Sequence, residues 1–87
     1  MIANIEQNLT EMNQKQRVFF RGYWITKREM QILITLTKGY TPIEISKELN
    51  IKRSTVQTHL HSLYDTFNLH SPQELVVLYY RGKVKEE

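Results

Sequence analysis

The chain has 87 residues, with 12 Lys plus Arg against 9 Asp plus Glu, a net charge of +3 and no cysteine. From that length one domain is expected, with no receiver, kinase or ligand-sensing domain beside it, while the missing cysteine removes disulfides, thiol nucleophiles and thiolate metal sites together. The longest apolar run, Leu75 to Tyr80, is far below the roughly 20 residues of a spanning helix, and no basic stretch followed by an apolar one opens the chain, so a cytoplasmic protein with no membrane role is expected.

Residues 1–24 read as a separate N-terminal extension. Ile2, Ile5, Leu9 and Met12 recur at helical spacing, which predicts an amphipathic helix from about residue 3 to 18, packed on its own domain, on a dimer mate or on another protein. No Asn-Gly or Asp-Gly hairpin signal occurs. The aromatic residues Phe19, Phe20, Tyr23 and Trp24 are expected to cover the core rather than to form a stacking platform for single strands.

Three tetrapeptides of the form S/T-x-x-E then follow: Thr26 to Glu29, Thr41 to Glu44 and Ser71 to Glu74. In this pattern the hydroxyl accepts from the amide three residues on, and the glutamate reaches back to the capping amide. Pro42 and Pro72 occupy first helical positions, where the missing N–H costs nothing. The first helix is predicted to run from Thr26 to Lys38, with Met30, Leu33, Ile34 and Thr37 inward and Gly39 as its stop. The second is short, with Ile45 and Leu49 inward and Asn50 as a left-handed turn residue. The third starts near Arg53 and buries Val56, Leu60, Leu63 and Phe67, ending at Asn68. The fourth runs from Pro72 to about Arg81, with Gly82 behind it.

Two short helices joined by a tight turn, the second amphipathic, make a helix-turn-helix, a unit that sets its second helix in a major groove. The outward stripe of that helix is Ser54, Gln57, Thr58, His61 and Asp65. Glutamine can pair bidentately with adenine, a threonine methyl can touch that of thymine, and histidine can meet a base edge or a phosphate. Lys52, Arg53 and Thr55 stand where the helix start favours an anion. By periodicity alone the same stripe also suits an ordinary solvated face.

A longer pattern bears on the choice. Ile25-Thr26-Lys27-Arg28-Glu29, Ile32-Leu33, Gly39-Tyr40-Thr41, Glu44-Ile45-Ser46-Lys47-Glu48-Leu49, Ile51 and Thr55-Val56-Gln57-Thr58-His59 follow one another in order. This series closely resembles the LuxR/GerE-type DNA-binding domain, over about residues 25 to 83. The resemblance implies an all-α fold: a four-helix LuxR/GerE-type helix-turn-helix domain at 25–87, preceded by the amphipathic N-terminal helix, in a stand-alone GerE-like member of the family. It implies a sequence-specific transcription regulator of double-stranded DNA, acting as a homodimer on an inverted repeat. Carried over by position, Gln57, Thr58 and His61 read bases, and Thr41, Lys47, Lys52, Arg53, Ser54 and Thr55 contact phosphates. The fourth helix of the family commonly dimerises, which implicates Leu75, Val77, Leu78 and Tyr80. Departures from the family pattern are Gln57 for a lysine, Lys52 for a capping serine, Thr66 for a second lysine and Asn68 for a glycine; the first three lower electrostatic affinity or leave the recognition helix without a side-chain cap.

Other chemistry is expected to be absent. His59 and His61 diverge on a helix, and His61 with Asp65 supplies too few ligands for a structural metal site. His59 is expected at the edge of the core or on the DNA backbone. No nucleophile–base pair, Gly-rich phosphate loop or paired carboxylates in a pocket context point to an enzyme, and no cofactor is implied. The alternative function is an interaction module that keeps the fold and binds or sequesters another regulator or RNA polymerase, with residues 1–24 as the contact.

Overall fold

Two short strands precede four helices in the computed structural model, which describes residues 16–84. The stripe Ile2, Ile5, Leu9 and Met12 lies outside the described residues. Strands β1 (Arg17–Phe20) and β2 (Tyr23–Thr26) pair antiparallel, with Val18 opposite Ile25, Phe19 opposite Trp24 and Phe20 opposite Tyr23. The Lys27 amide donates to the Gln16 carbonyl at 2.8 Å and extends the ladder by one bond.

This hairpin corrects the expectation of an all-α fold: the described chain is mostly helical with a two-stranded sheet, and Arg17 and Val18 are strand rather than helix end. Its two-residue loop is Arg21-Gly22, with φ of 53° and 89°. Positive φ at both central positions is what a type I′ turn demands, and its twist matches that of the strands it joins. The flanking runs are aromatic and β-branched, the residue types that suit a pleated surface. Arginine takes positive φ less readily than asparagine or aspartate, so Arg21-Gly22 is a weak hairpin signal beside Asn-Gly or Asp-Gly. The boundary expected between residues 24 and 25 falls inside β2.

Helix α1 (Lys27–Thr37) opens on the first capping box: the Glu29 amide donates to Thr26 Oγ1 at 3.0 Å, and the Thr26 amide donates to Glu29 Oε1 at 2.8 Å. Its buried residues are Glu29, Ile32, Leu33, Thr35 and Leu36. Of the four residues expected inward, Leu33 is buried, Met30 packs against the core and Thr37 is half-buried, but Ile34 faces solvent. The helix is packed by the hairpin and by all three later helices, so its buried arc is wider and rotated relative to a single stripe. Thr35 tolerates burial because its hydroxyl donates to the Gln31 carbonyl at 2.8 Å.

Helices α2 (Pro42–Glu48), α3 (Arg53–Phe67) and α4 (Pro72–Val84) follow. The expected stop at Gly82 is passed, since α4 continues to Val84; a glycine inside a helix costs about 1 kcal/mol against alanine without ending it. The third capping box forms in altered shape: the Glu74 amide donates to Ser71 Oγ at 3.4 Å, but the Glu74 carboxylate accepts from the His70 amide at 2.6 Å.

One core joins these elements: Ile25, Ile32, Leu33, Leu36, Ile45, Val56, Leu60, Leu63 and Leu75. The inner face of the hairpin closes one end. Phe20 meets Phe67 and Tyr79 at ring-centroid distances of 5.9 and 6.0 Å, and Tyr23 meets Phe67 edge-on at 5.3 Å. Phe67, expected inward on α3, is thus held by two strand aromatics. Phe19 and Trp24, expected to cover the core, instead lie on the opposite face of the sheet, 5.0 Å apart and 59% exposed each.

Candidate nucleic-acid interface

The α2–α3 unit is built by local chemistry. Thr41 caps α2 through its hydroxyl, which accepts from the Glu44 amide at 3.2 Å, while Glu44 Oε1 accepts from the Thr41 amide at 2.9 Å. The turn that follows is a Schellman motif. The Asn50 amide donates to the Lys47 carbonyl at 3.3 Å and the Ile51 amide to the Ser46 carbonyl at 3.0 Å, with Asn50 at φ 55° in the position glycine usually takes. Lys52 then stands at the N-cap of α3 and makes no side-chain cap, as the sequence anticipates. The Thr55 and Val56 amides both donate to the Lys52 carbonyl, leaving the Arg53 and Ser54 amides without a backbone partner at an exposed start.

Burial divides α3 into two faces. Val56, Leu60 and Leu63 are buried, while Ser54, Gln57, Thr58, His61 and Asp65 are exposed on the other side. Thr58 carries a detail no pattern could show. Its hydroxyl donates to the Ser54 carbonyl at 3.0 Å, so the proton is used inside the helix. His61 lies against the Tyr64 ring, centroids 5.6 Å apart. Thr41, Lys47, Lys52, Arg53 and Ser54 are exposed and Thr55 half-buried, all on α2 or at the two helix starts. Because Thr41 Oγ1 serves α2 only as an acceptor, its own proton remains available to an anion.

His59 sits at the edge of the core, within the field of Glu29 and Arg28. Burial pushes its pKa below the ordinary value; the Glu29 charge opposes that shift and Arg28 adds to it. A neutral imidazole at pH 7 follows, and this side chain brings no cation to the surface.

On α4 the four expected interface residues separate. Leu75 is fully buried in this chain's own core and cannot serve a second copy. Val77 and Tyr80 are half exposed, Leu78 is partly buried, and the Tyr80 hydroxyl donates to the Thr37 carbonyl at 3.4 Å. A six-residue apolar run cannot itself tell which residues the core claims, because a helix face is only a third to a half of it.

Against known proteins, residues 24–79 match the family model described as bacterial regulatory proteins, luxR family. The chain belongs to the luxR family. The matched stretch begins within β2 and ends within α4, so the whole α2–α3 unit of this luxR-family domain lies inside it. The response regulator UvrY of Escherichia coli K12 is 35% identical over 54 residues, covering 62% of this chain and 25% of UvrY. The HTH-type transcriptional regulator MalT of Vibrio campbellii is 32% identical over 53 residues, covering 61% of this chain and 6% of MalT. The luxR-family chain described here therefore corresponds to a small part of these relatives. The hairpin loop and β1 lie before the matched stretch.

Proposed function

We propose that this luxR-family chain is a sequence-specific regulator of transcription that binds duplex DNA with α3 in the major groove. The observation that carries the reading is the division of α3: Val56, Leu60 and Leu63 anchor the helix, and the opposite face presents Gln57, Thr58 and His61 to solvent. A rigidly anchored helix with short polar side chains facing outward is what direct readout needs. Gln57 offers an amide that both donates and accepts, suited to adenine. Thr58, its proton committed to Ser54, meets a base chiefly through its methyl group, which suits thymine. His61 supplies a ring nitrogen further along the groove.

Around this face Lys47, Lys52 and Arg53 supply positive charge. Ser54, Thr55 and Thr41 add hydroxyls, and the start of α3 adds two amides; together these hold phosphates and set register without reading sequence. Two copies related by a two-fold axis through the exposed part of α4, at Val77 and Tyr80 with Leu78 beside them, read an inverted repeat. Such a target places the protein in the cytoplasm; among the described residues no helix is long and apolar enough to cross a membrane.

The test is selection of genomic fragments by the purified protein at near-physiological salt, followed by sequencing of what is bound. Enrichment of a short inverted repeat is the expected outcome. A folded protein that enriches nothing overturns the reading and favours the interaction module.

A further inference from the structure

A two-stranded sheet packed on a core by one face normally turns polar side chains to water on the other. The outer face of this hairpin departs from that rule at its centre. It carries Arg17, Phe19, Trp24 and Thr26, with the two rings directly opposite each other on neighbouring strands. The rings pack together at 5.0 Å between centroids, yet each leaves 59% of its surface exposed.

The charge around these rings has one sign. Arg17, Arg21 and Lys27 are exposed, and no carboxylate occurs from Gln16 to Arg28. The next one, Glu29, is buried, and its Oε1 accepts from the Thr26 amide at 2.8 Å. A second copy laid on this face would bring the cations of both chains together. A strand of unpaired nucleotides suits it on both counts, because bases stack on aromatic rings and arginines meet phosphates. Rings on neighbouring strands of a sheet can each take one base. Duplex DNA keeps its bases inside the stack, whereas RNA offers them in loops and at ends. The Thr26 hydroxyl, which only accepts in the cap of α1, also keeps its proton for a ribose 2′-hydroxyl.

We propose that the outer face of the hairpin binds single-stranded RNA, with bases stacked on Phe19 and Trp24 and with Arg17 and Arg21 on the phosphates. The site is separate from the base-reading face. The hairpin packs at Phe67 through its inner side, about 15 Å along α3 from Gln57. The proposal therefore stands whether or not α3 reads duplex DNA.

Trp24 is the only tryptophan in the chain, so its fluorescence reports on this face. The experiment titrates the full chain with a labelled oligouridine of about ten nucleotides in about 0.1 M salt, where exposed charges act over about 10 Å. Trp24 fluorescence and the anisotropy of the strand are followed together in wild type, Phe19→Ala, Arg17→Ala and Lys38→Ala. Lys38 is an exposed cation at the far end of α1, and all three replaced side chains are exposed, so the core is untouched; circular dichroism melts verify folding. The expected result is quenching of Trp24 that saturates together with the anisotropy. Affinity falls at least about fivefold in Phe19→Ala, the salt slope falls by about 0.7 in Arg17→Ala, and Lys38→Ala stays within about twofold of wild type. Anisotropy that rises without quenching of Trp24 overturns the proposal, because the strand is then held elsewhere. Absence of binding, or an unchanged affinity in Phe19→Ala, also overturns it. Tighter binding of an oligothymidine of the same length overturns the assignment to RNA.

Discussion

Replacing Leu75 by alanine separates the two roles that the apolar run of α4 could play. Leu75 has no exposed surface and contributes to the core shared with α1 and α3. The substitution removes three carbons, worth about 2.4 kcal/mol at 0.8 kcal/mol for each buried methylene. The cavity left behind raises the cost to about 3–4 kcal/mol. A domain of this size has a total stability of about 4–13 kcal/mol, so the variant loses a large fraction of it, and its melting temperature falls by about 12–30 °C. Val77 is half exposed on the same helix; Val77→Glu changes the stability of the folded unit by no more than about 0.5 kcal/mol, yet it sets two like charges together at a two-fold contact. Urea denaturation measures the first effect and sedimentation the second. Leu75→Ala that denatures within about 1 kcal/mol of wild type would refute the placement of Leu75 in the core. Val77→Glu that remains dimeric would move the interface off α4.

Four further outcomes are expected. Thr58→Val keeps the methyl group and therefore the preference for thymine at its position, while Thr58→Ser loses about 1–3 kcal/mol of discrimination there; binding-site selection on both variants checks this. Lys47→Ala weakens binding to all sequences alike and lowers the slope of log affinity against log salt by about one unit, measured by fluorescence anisotropy across salt concentrations. Asn50→Ala places a β-carbon without a compensating side chain at a left-handed position and destabilises the α2–α3 turn by about 1 kcal/mol, while Asn50→Gly does not, as thermal melts can compare. His59 has a folded pKa below its ordinary value of 6.5, so the unfolded chain binds the proton first. Its contribution to stability is complete above that ordinary value and is lost as the pH falls towards the lowered one. His59→Gln removes this part of the dependence, and an unaltered profile of stability against pH in that variant contradicts it.

Much of the helical part was legible because its determinants are local. The caps at Thr26 and Thr41 act over three residues, and the hydrogen bonds they predict are present in both directions. The left-handed residues Asn50 and Asn68 end or link helices where side chains of their type tolerate positive φ. The stripe Val56, Leu60, Leu63 occupies one face of α3 and is buried as a unit. Exposure of Gln57, Thr58 and His61 follows from that stripe, since residues opposite a buried face have nowhere else to point.

What the sequence by itself determined, then, was helices α1 to α4, where each starts, the stops of the first three, the helix-turn-helix and the family pattern that runs through it. Only the tertiary structure decided the rest. It paired Arg17–Phe20 with Tyr23–Thr26 where a helix end was expected, turned Ile34 outward while burying Ile32 and Leu36, and divided the run from Leu75 to Tyr80 between core and surface. These choices share a physical reason. Each segment is apolar on more than one side, so local propensity leaves several faces equally able to be buried. The choice among them depends on which neighbours, distant in the chain, arrive to exclude water.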